Sequence, residues 1–327
     1  MEVGVIVYPG VQHAAVLGLT DLFEMANRLA ISRRDDGGPM LRVTHWKQDA
    51  QSELTSVFDS RPEAGDSRPA ALILPPSLND PAQADAFPTL LSWLRESHAQ
   101  GVVLTSVCAG AFLLAASGLM AGRRMTTHWS YAELLQERYP DIRVDADRLL
   151  IDDGDIITAG GLMAWTDLGL RLVDRLLGPS VMMETARMLL VDPSGREQRF
   201  YSVFSPRLTH GDPAILKVQH WLQATGAQDI SLASMVAESG LEERTFLRRF
   251  QKATGMKTTE YCQRLRVGKA REQLQFSTAT VEQIAWDVGY SDVGAFRKVF
   301  MRIVGLSPSE YRRRFAVARQ PFKASHP

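Results

Sequence analysis

Two cysteines, Cys108 and Cys262, are all that 327 residues contain. They lie far apart in the chain, so no disulfide framework is expected, and a reducing cytoplasm fits the count. No apolar run approaches the roughly 20 residues that span a bilayer. The strand-like VGVIVY follows Met1-Glu2 with no basic stretch before it, so no signal peptide is expected. Nowhere do His, Cys, Asp and Glu take up metal-ligand spacing, and neither a metal nor a cofactor is expected.

Net charge is also missing, but the balance hides an asymmetry. Residues 214–320 hold 17 Lys/Arg against 10 Asp/Glu, a net +7, and residues 1–213 hold 19 against 27, a net −8. A basic C-terminal part joined to an acidic N-terminal part is a charge layout suited to a nucleic-acid-binding module attached to something else, or it is surface composition alone.

What is present in the first part is an alternation of strand and helix. Strands are expected at 3–8, 41–46, 70–74 and 101–107, and again at 156–159. Helical spacing runs through 14–29, with Leu19, Leu22, Phe23 and Ala26 inward. It returns at 83–98 with Leu90, Leu91 and Leu94, at 111–119, and at 164–177. Residues 61–68 read as a loop. Such alternation predicts an α/β fold, a doubly wound parallel sheet with helices on both faces. In Ser106-Val107-Cys108-Ala109-Gly110-Ala111 a strand runs straight into a helix with a thiol at the join. That is an elbow, and it places the side chain above the carboxyl end of the sheet, where open α/β folds bind ligands. N–H groups at the new helix start would suit an anion or oxyanion.

Thr127-His128-Trp129 and Thr158-Ala159-Gly160-Gly161 are expected on the same rim. With the Cys108 elbow they resemble, in order and spacing, the DJ-1/PfpI superfamily, relatives of class I glutamine amidotransferase domains, over roughly residues 2–190. The resemblance implies a small-molecule pocket lined by His13, Cys108, Ala109, His128, Trp129, Gly160 and Gly161. Its catalytic set is incomplete: Ala109 stands where many members place His, Ser106 where the amidotransferases place Gly, and Ala15 at the position aligned with an acidic residue, with Asp21 and Glu24 as substitutes. Cys108 is therefore either a small inert residue in a pocket or a nucleophile with His128 as base. His128 is either a satisfied histidine or a pocket wall, and Trp129 either core or an aromatic face for a cationic or planar ligand.

Residues 190–213, rich in Pro, Gly, Ser and charge, read as a connector that lies along a surface. Beyond it an amphipathic helix at 214–225 carries Ile215, Val218, Trp221 and Leu222 inward. Two similar units follow, 50 residues apart. Phe246 matches Phe296, and Phe250, Gly255, Glu260, Tyr261 and Arg264 match Phe300, Gly305, Glu310, Tyr311 and Arg314. In the first unit Ser231 caps a helix at 232–238, and a second helix at 242–252 turns Phe246, Leu247 and Phe250 inward. Arg244, Thr245, Arg248 and Arg249 then face outward. In the second unit Thr280 and Gln283 make a capping box. Val281, Ile284, Ala285 and Val288 form its first helix face, and Phe296, Val299 and Phe300 its second. Ser291, Asp292, Val293, Gly294, Arg297 and Lys298 are expected at the outer surface, and Ser307-Pro308-Ser309-Glu310 starts a closing helix.

Two helix-turn-helix units on one joining helix, ending in IAWDVGYSDVGAFRKVFMRIVGLSPSEYRRRF, resemble the DNA-binding domain of the AraC/XylS regulators over about residues 212–315. Val293-Gly294 departs from the small polar residues usual there; glycine inside a helix costs about 1 kcal/mol or permits close approach to DNA. The resemblance implies a sequence-specific regulator, an activator, with a DJ-1/PfpI-like sensor at 1–190, a linker at 191–213, tandem helix-turn-helix units at 214–318 and a tail at 319–327. Its implied partners are double-stranded DNA, a small-molecule effector, a second copy of the chain and RNA polymerase, in a cytoplasmic, nucleoid-associated setting without a membrane. Arg244, Thr245, Arg248, Arg249, Ser291, Asp292, Val293, Arg297 and Lys298 are the candidate DNA contacts. Arg312, Arg313 and Arg314 are backbone contacts or a solvated helix end. The competing reading is a Cys108-dependent hydrolase or glyoxalase-like enzyme fused to a DNA-binding domain.

Overall fold

The computed structural model describes residues 1–32, 40–49, 53–65, 67–83, 86–193 and 195–316. The expected tail at 319–327 lies outside the described residues. The chain divides into two compact units, Met1–Gln198 and Arg199–Pro327.

The first unit is built on a seven-stranded sheet of order β3-β2-β1-β4-β5-β9-β8. Its strands are β1 (Glu2–Val7), β2 (Arg42–Gln48), β3 (Leu54–Asp59), β4 (Pro69–Leu74), β5 (Val103–Val107), β8 (Leu150–Asp152) and β9 (Ile156–Ala159). A separate parallel pair joins β6 (Arg124–Met125) to β7 (Arg143–Val144). β1, β4 and β5 are apolar almost throughout because both faces are covered, as parallel strands between helices must be. Register follows from that burial: Val5 pairs with Ile73, Leu72 with Leu104 and Ser106 with Thr158.

The expected doubly wound parallel sheet is present, with two differences of detail. The sheet is parallel only at its centre, since the edges β3 and β8 run antiparallel to β2 and β9. The helix expected from residue 83 begins at Pro88, whose fixed φ suits a first helical position; residues 84 and 85 lie outside the described residues.

The helices of this unit are α1 (His13–Ile31), α2 (Pro88–Ala99), α3 (Gly110–Ala116), α4 (Ala132–Arg138), α5 (Trp165–Leu177) and α6 (Pro179–Leu189). α1, α5 and α6 pack on one another, while α2 and α3 pack together and against β5. One continuous core results, centred on residues such as Ile6, Phe23, Leu72, Leu104 and Phe112.

The second unit is helical: α7 (Pro213–Thr225), α8 (Leu232–Ser239), α9 (Glu243–Thr254), α10 (Thr258–Phe276), α11 (Val281–Asp287), α12 (Val293–Val304) and α13 (Pro308–Phe315). Caps set these boundaries. Ser231, Thr280 and Ser307 each make a capping box, with Ser234, Gln283 and Glu310 respectively. Gly255 and Gly305 end α9 and α12 in the left-handed region, at φ 72° and 82°.

The 50-residue repeat is visible in the packing. Phe246, Phe250 and Tyr261 pack in tilted and edge-on pairs with centroids 5.5 and 5.3 Å apart, and Phe296, Phe300 and Tyr311 repeat the arrangement at 5.7 and 5.6 Å. The units have separate cores, one around Phe246 and Phe250 and one around Phe296 and Phe300, joined by the shared α10. Both buried tyrosine hydroxyls are satisfied: Gln219 donates to Tyr261 at 3.2 Å, and Gln275 and Arg271 donate to Tyr311 at 2.6 and 3.0 Å.

Candidate functional site: a thiol elbow and two exposed recognition helices

Cys108 stands between β5 and α3 at φ +53°, a left-handed conformation that costs a non-glycine residue on the order of 1–2 kcal/mol. Hydrogen bonds on both sides hold it there. Its own N–H donates to Ala159 O at 2.8 Å, and Thr127 Oγ1 donates to Cys108 O at 2.8 Å. Gly110 is required at the turn, because a Cβ there would lie 2.3 Å from Leu74 O and 2.8 Å from Pro75 O. The expected pocket segments therefore converge through backbone contacts, Thr127 and Ala159 meeting at the elbow.

The electrostatics around the sulfur favour a neutral thiol. Cys108 is 2% exposed. Burial pushes its thiol up to about 11, against a smaller lowering by the Ala109 N–H, which can donate to a thiolate. Burial raises Tyr8 and Tyr131, and the charge of a Cys108 thiolate would raise both further. Tyr8 donates from its hydroxyl to Pro75 O. Among the described residues no charged side chain contributes to the thiol's shift.

His128 is half-buried and its pKa is lowered by burial. Its Nδ1 accepts from Ser130 N at 3.2 Å and sits 2.7 Å from Ser130 Oγ, and its ring lies 5.3 Å from Trp129 and 6.1 Å from Tyr131. The imidazole is thus engaged with Ser130 and its aromatic neighbours. Of the substitutes for the missing acidic residue, Asp21 is exposed and Glu24 lies 3.9 Å from Arg61, while Ala15 is fully buried. His13 is exposed at the start of α1. Gly160 and Gly161 follow β9, and Gly161 has φ +90°. Among the described residues no group of three or more His, Cys, Asp and Glu could hold a metal.

Sequence reasoning missed Gln198. It sits in the stretch read as a connector, yet it is 2% exposed. Its Nε2 donates to Thr127 O at 2.7 Å, Thr126 Oγ1 at 3.0 Å and Arg148 O at 3.0 Å, and its Oε1 accepts from Trp129 N at 3.1 Å. One side chain therefore fixes the Thr126–Trp129 wall. A polar residue in a charged, proline-bearing stretch gives no local sign of this. Also missed was a cavity of about 580 Å³ against β8, α5 and α6, lined by none of the residues expected in the elbow pocket. The arginines on its wall are paired: Arg171 with Asp152 and Asp174, Arg196 with Asp167, Arg148 with Glu197.

In the second unit, burial separates an inner from an outer face on each recognition helix. On α9, Phe246 and Phe250 are fully buried and Arg244 and Arg248 are exposed, with Thr245 between. Leu247, expected inward, is 37% exposed. It follows Phe246 by one residue, about 100° around the helix, and shares the face of Arg244 and Arg248. Arg249, expected outward, turns instead to Asp212, the cap of α7, with donor distances of 2.7 and 2.9 Å.

Gly294, Arg297 and Lys298 on α12 are exposed, as is Ser291 in the turn before it. Asp292 caps the helix, accepting from Gly294 N at 2.8 Å and Ala295 N at 3.2 Å. Gly294 consequently lies in the first turn, not the interior, and a Cβ there would come within 3.2 Å of the capping oxygen. Val293, expected outward, is half-buried against the second core. Arg297 reaches Glu282 at 2.6 Å across the exposed surface. Arg312 donates to Ala279 O and Arg314 to Tyr201, so both have roles within the fold.

An α/β unit with a thiol elbow and a unit of paired helix-turn-helix motifs define a two-domain DNA-binding class. Comparison with known proteins agrees. Residues 38–175 match the DJ-1/PfpI family and residues 235–314 a helix-turn-helix domain. The chain is 27% identical to the HTH-type transcriptional regulator GlxA of Rhizobium meliloti over 225 residues, 68% of each chain. It is 25% identical to the HTH-type transcriptional regulator CdhR of Pseudomonas aeruginosa over 280 residues, 85% of this chain and 79% of that one. Isonitrile hydratase of Pseudomonas putida is 36% identical over 100 residues, 30% of this chain and 40% of the hydratase. The chain thus joins a DJ-1/PfpI-family segment to an AraC-type helix-turn-helix domain, as in the transcriptional regulators it is similar to, and DNA is the partner that this likeness implies. Among the described residues no helix is long and apolar enough to cross a membrane.

Proposed function

We propose that the protein is a ligand-controlled transcription activator whose elbow pocket binds a small molecule without turning it over. The observation that carries this is the state of Cys108: a buried thiol pushed up to about 11, with no charged side chain among the described residues acting on it, is protonated at neutral pH. The likeness to a hydratase is partial, and among the described residues no charged side chain acts on the sulfur. The proposed pocket wall is Cys108, Ala109, His128, Trp129, Gly160 and Gly161, with His13 at its rim.

On this reading the sensor spans 1–190 and the DNA-binding domain 214–318, with 191–213 between. α9 and α12 each enter a major groove, about one helical turn or ~34 Å apart on one face of the duplex. Arg244 and Arg248 supply base and phosphate contacts on the first helix, and Arg297 and Lys298 on the second. Thr245, Ser291 and Asp292 flank them at the interface. The protein works as a homodimer in the cytoplasm, at the nucleoid, and contacts RNA polymerase. The effector acts by binding one conformation of the regulator better than another.

Replacing Cys108 by Ser tests the choice between sensor and enzyme. Thermal-shift screening of the full chain with amino acids, amines and quaternary ammonium compounds identifies a ligand. The reporter response to that ligand is then compared in wild type and C108S. Regulation that persists in C108S, with altered ligand affinity, supports a sensor. Hydrolysis of an amide or conversion of a dicarbonyl that disappears in C108S would show an enzyme.

A further inference from the structure

The outer face of α9 is a stripe of four residues at helical spacing, Arg244, Leu247, Arg248 and Gln251, all exposed. Leu247 stands in its middle at 37% exposure, an apolar side chain outside the core cluster around Phe246 and Phe250. Nothing local requires leucine there. The inner face is completed by Phe246 and Phe250, and the corresponding position one repeat later, Arg297, is charged and paired with Glu282. The matching stripe on α12 reads Gly294, Arg297, Lys298 and Met301. The two helices thus share a fold and a core but present different chemistry outward. One offers two guanidinium groups, an amide and a branched aliphatic group. The other offers a bare backbone, an arginine held by a carboxylate, an amine and a thioether.

In the major groove only thymine presents an apolar group, its 5-methyl, while arginine suits guanine and glutamine suits adenine. Resting on the DNA-binding reading above, we propose that Leu247 is a specificity-determining residue of the first recognition helix, packing on a thymine methyl between the bases that Arg244 and Arg248 contact. The first half-site then contains a required thymine, and the leucine side chain selects it without any hydrogen bond. Covering one methyl group with apolar surface corresponds to about a fourfold change in affinity.

The test uses wild-type full-length protein on a duplex selected from random sequence. Each thymine of the first half-site is replaced singly by deoxyuridine, which keeps the pairing and the 4-carbonyl and removes only the methyl. The expected result is one position where affinity falls about fourfold. At that position 5-methylcytosine should bind better than cytosine, and in Leu247→Ala the thymine-to-deoxyuridine difference should vanish. Leu247→Gln, equally tolerated on an exposed helix face, should bind DNA with the same salt dependence while losing the thymine preference. Affinity unchanged by deoxyuridine at every position, or a methyl effect that persists in both variants, would overturn the assignment while leaving the DNA-binding reading intact. Failure to select any sequence from the random pool would overturn that reading, and the Leu247 assignment with it.

Discussion

If the elbow is a binding site and not a reaction centre, Cys108 must be a poor nucleophile at neutral pH. With its thiol near 11, about 1 molecule in 3,000 carries a thiolate at pH 7.5, whereas an unperturbed cysteine near 8.5 carries about 1 in 10. Alkylation by iodoacetamide should therefore be on the order of 100-fold slower than that of a small thiol, before burial slows access further. Site-resolved mass spectrometry of peptides containing Cys108, sampled across pH 6–11, measures this without altering the protein. The labelling rate should rise through the whole range with no midpoint near neutrality. The same shift makes a stability prediction. Between the unfolded value, near 9, and the folded value, near 11, the unfolded chain has lost a proton that the folded chain keeps. Stability contributed by the neutral thiol is complete below about pH 9 and lost as pH rises toward 11, by roughly 2–3 kcal/mol. Tyr8, raised by its own burial, adds to the decline in the same direction. Melting of C108A above pH 9 should fall less steeply than that of wild type. Rapid labelling at pH 7.5 with a midpoint below 8 would refute this reasoning, because it would require an activating group that the elbow does not contain.

Other perturbations probe the remaining parts. Gly160→Ala would set a Cβ 1.9 Å from Gln198 Nε2 and 2.5 Å from Thr127 O; chemical denaturation should show a loss of about 1–3 kcal/mol. Phe296→Ala should cost about 3–5 kcal/mol in unfolding of the second unit, because the ring is fully buried between Tyr290 and Phe300. Arg248→Ala or Lys298→Ala should lower DNA affinity at all sequences where the residue meets a phosphate, and reduce the slope of log affinity against log salt by about 1, read by titration at several salt concentrations.

What could be read from the sequence was what is local. Capping boxes lie within four residues, so Thr280–Gln283 and Ser307–Glu310 mark helix starts in the sequence itself. Buried parallel strands announce themselves as apolar runs, and the 50-residue repeat was carried by core aromatics. What could not be read depended on distant partners. β3 is exposed along most of its length and pairs with β2 at the sheet edge, so it shows no alternation of inward and outward residues. Arg249 looked free because Asp212 lies 37 residues earlier, and Gln198 looked like linker because its partners lie around residues 126–129 and 148. Leu247 was assigned inward because it is apolar, although its place beside Phe246 on the helix turns it outward.

The most direct test of the account is hydroxyl-radical footprinting of the full-length protein on its selected duplex. Two recognition helices joined by α10 predict two protected tracts on one face, about one helical turn apart, with Arg244 and Arg248 variants weakening one tract and Arg297 and Lys298 variants the other. A single protected tract that responds to substitutions on both helices, or protection spread evenly along the duplex, would contradict it.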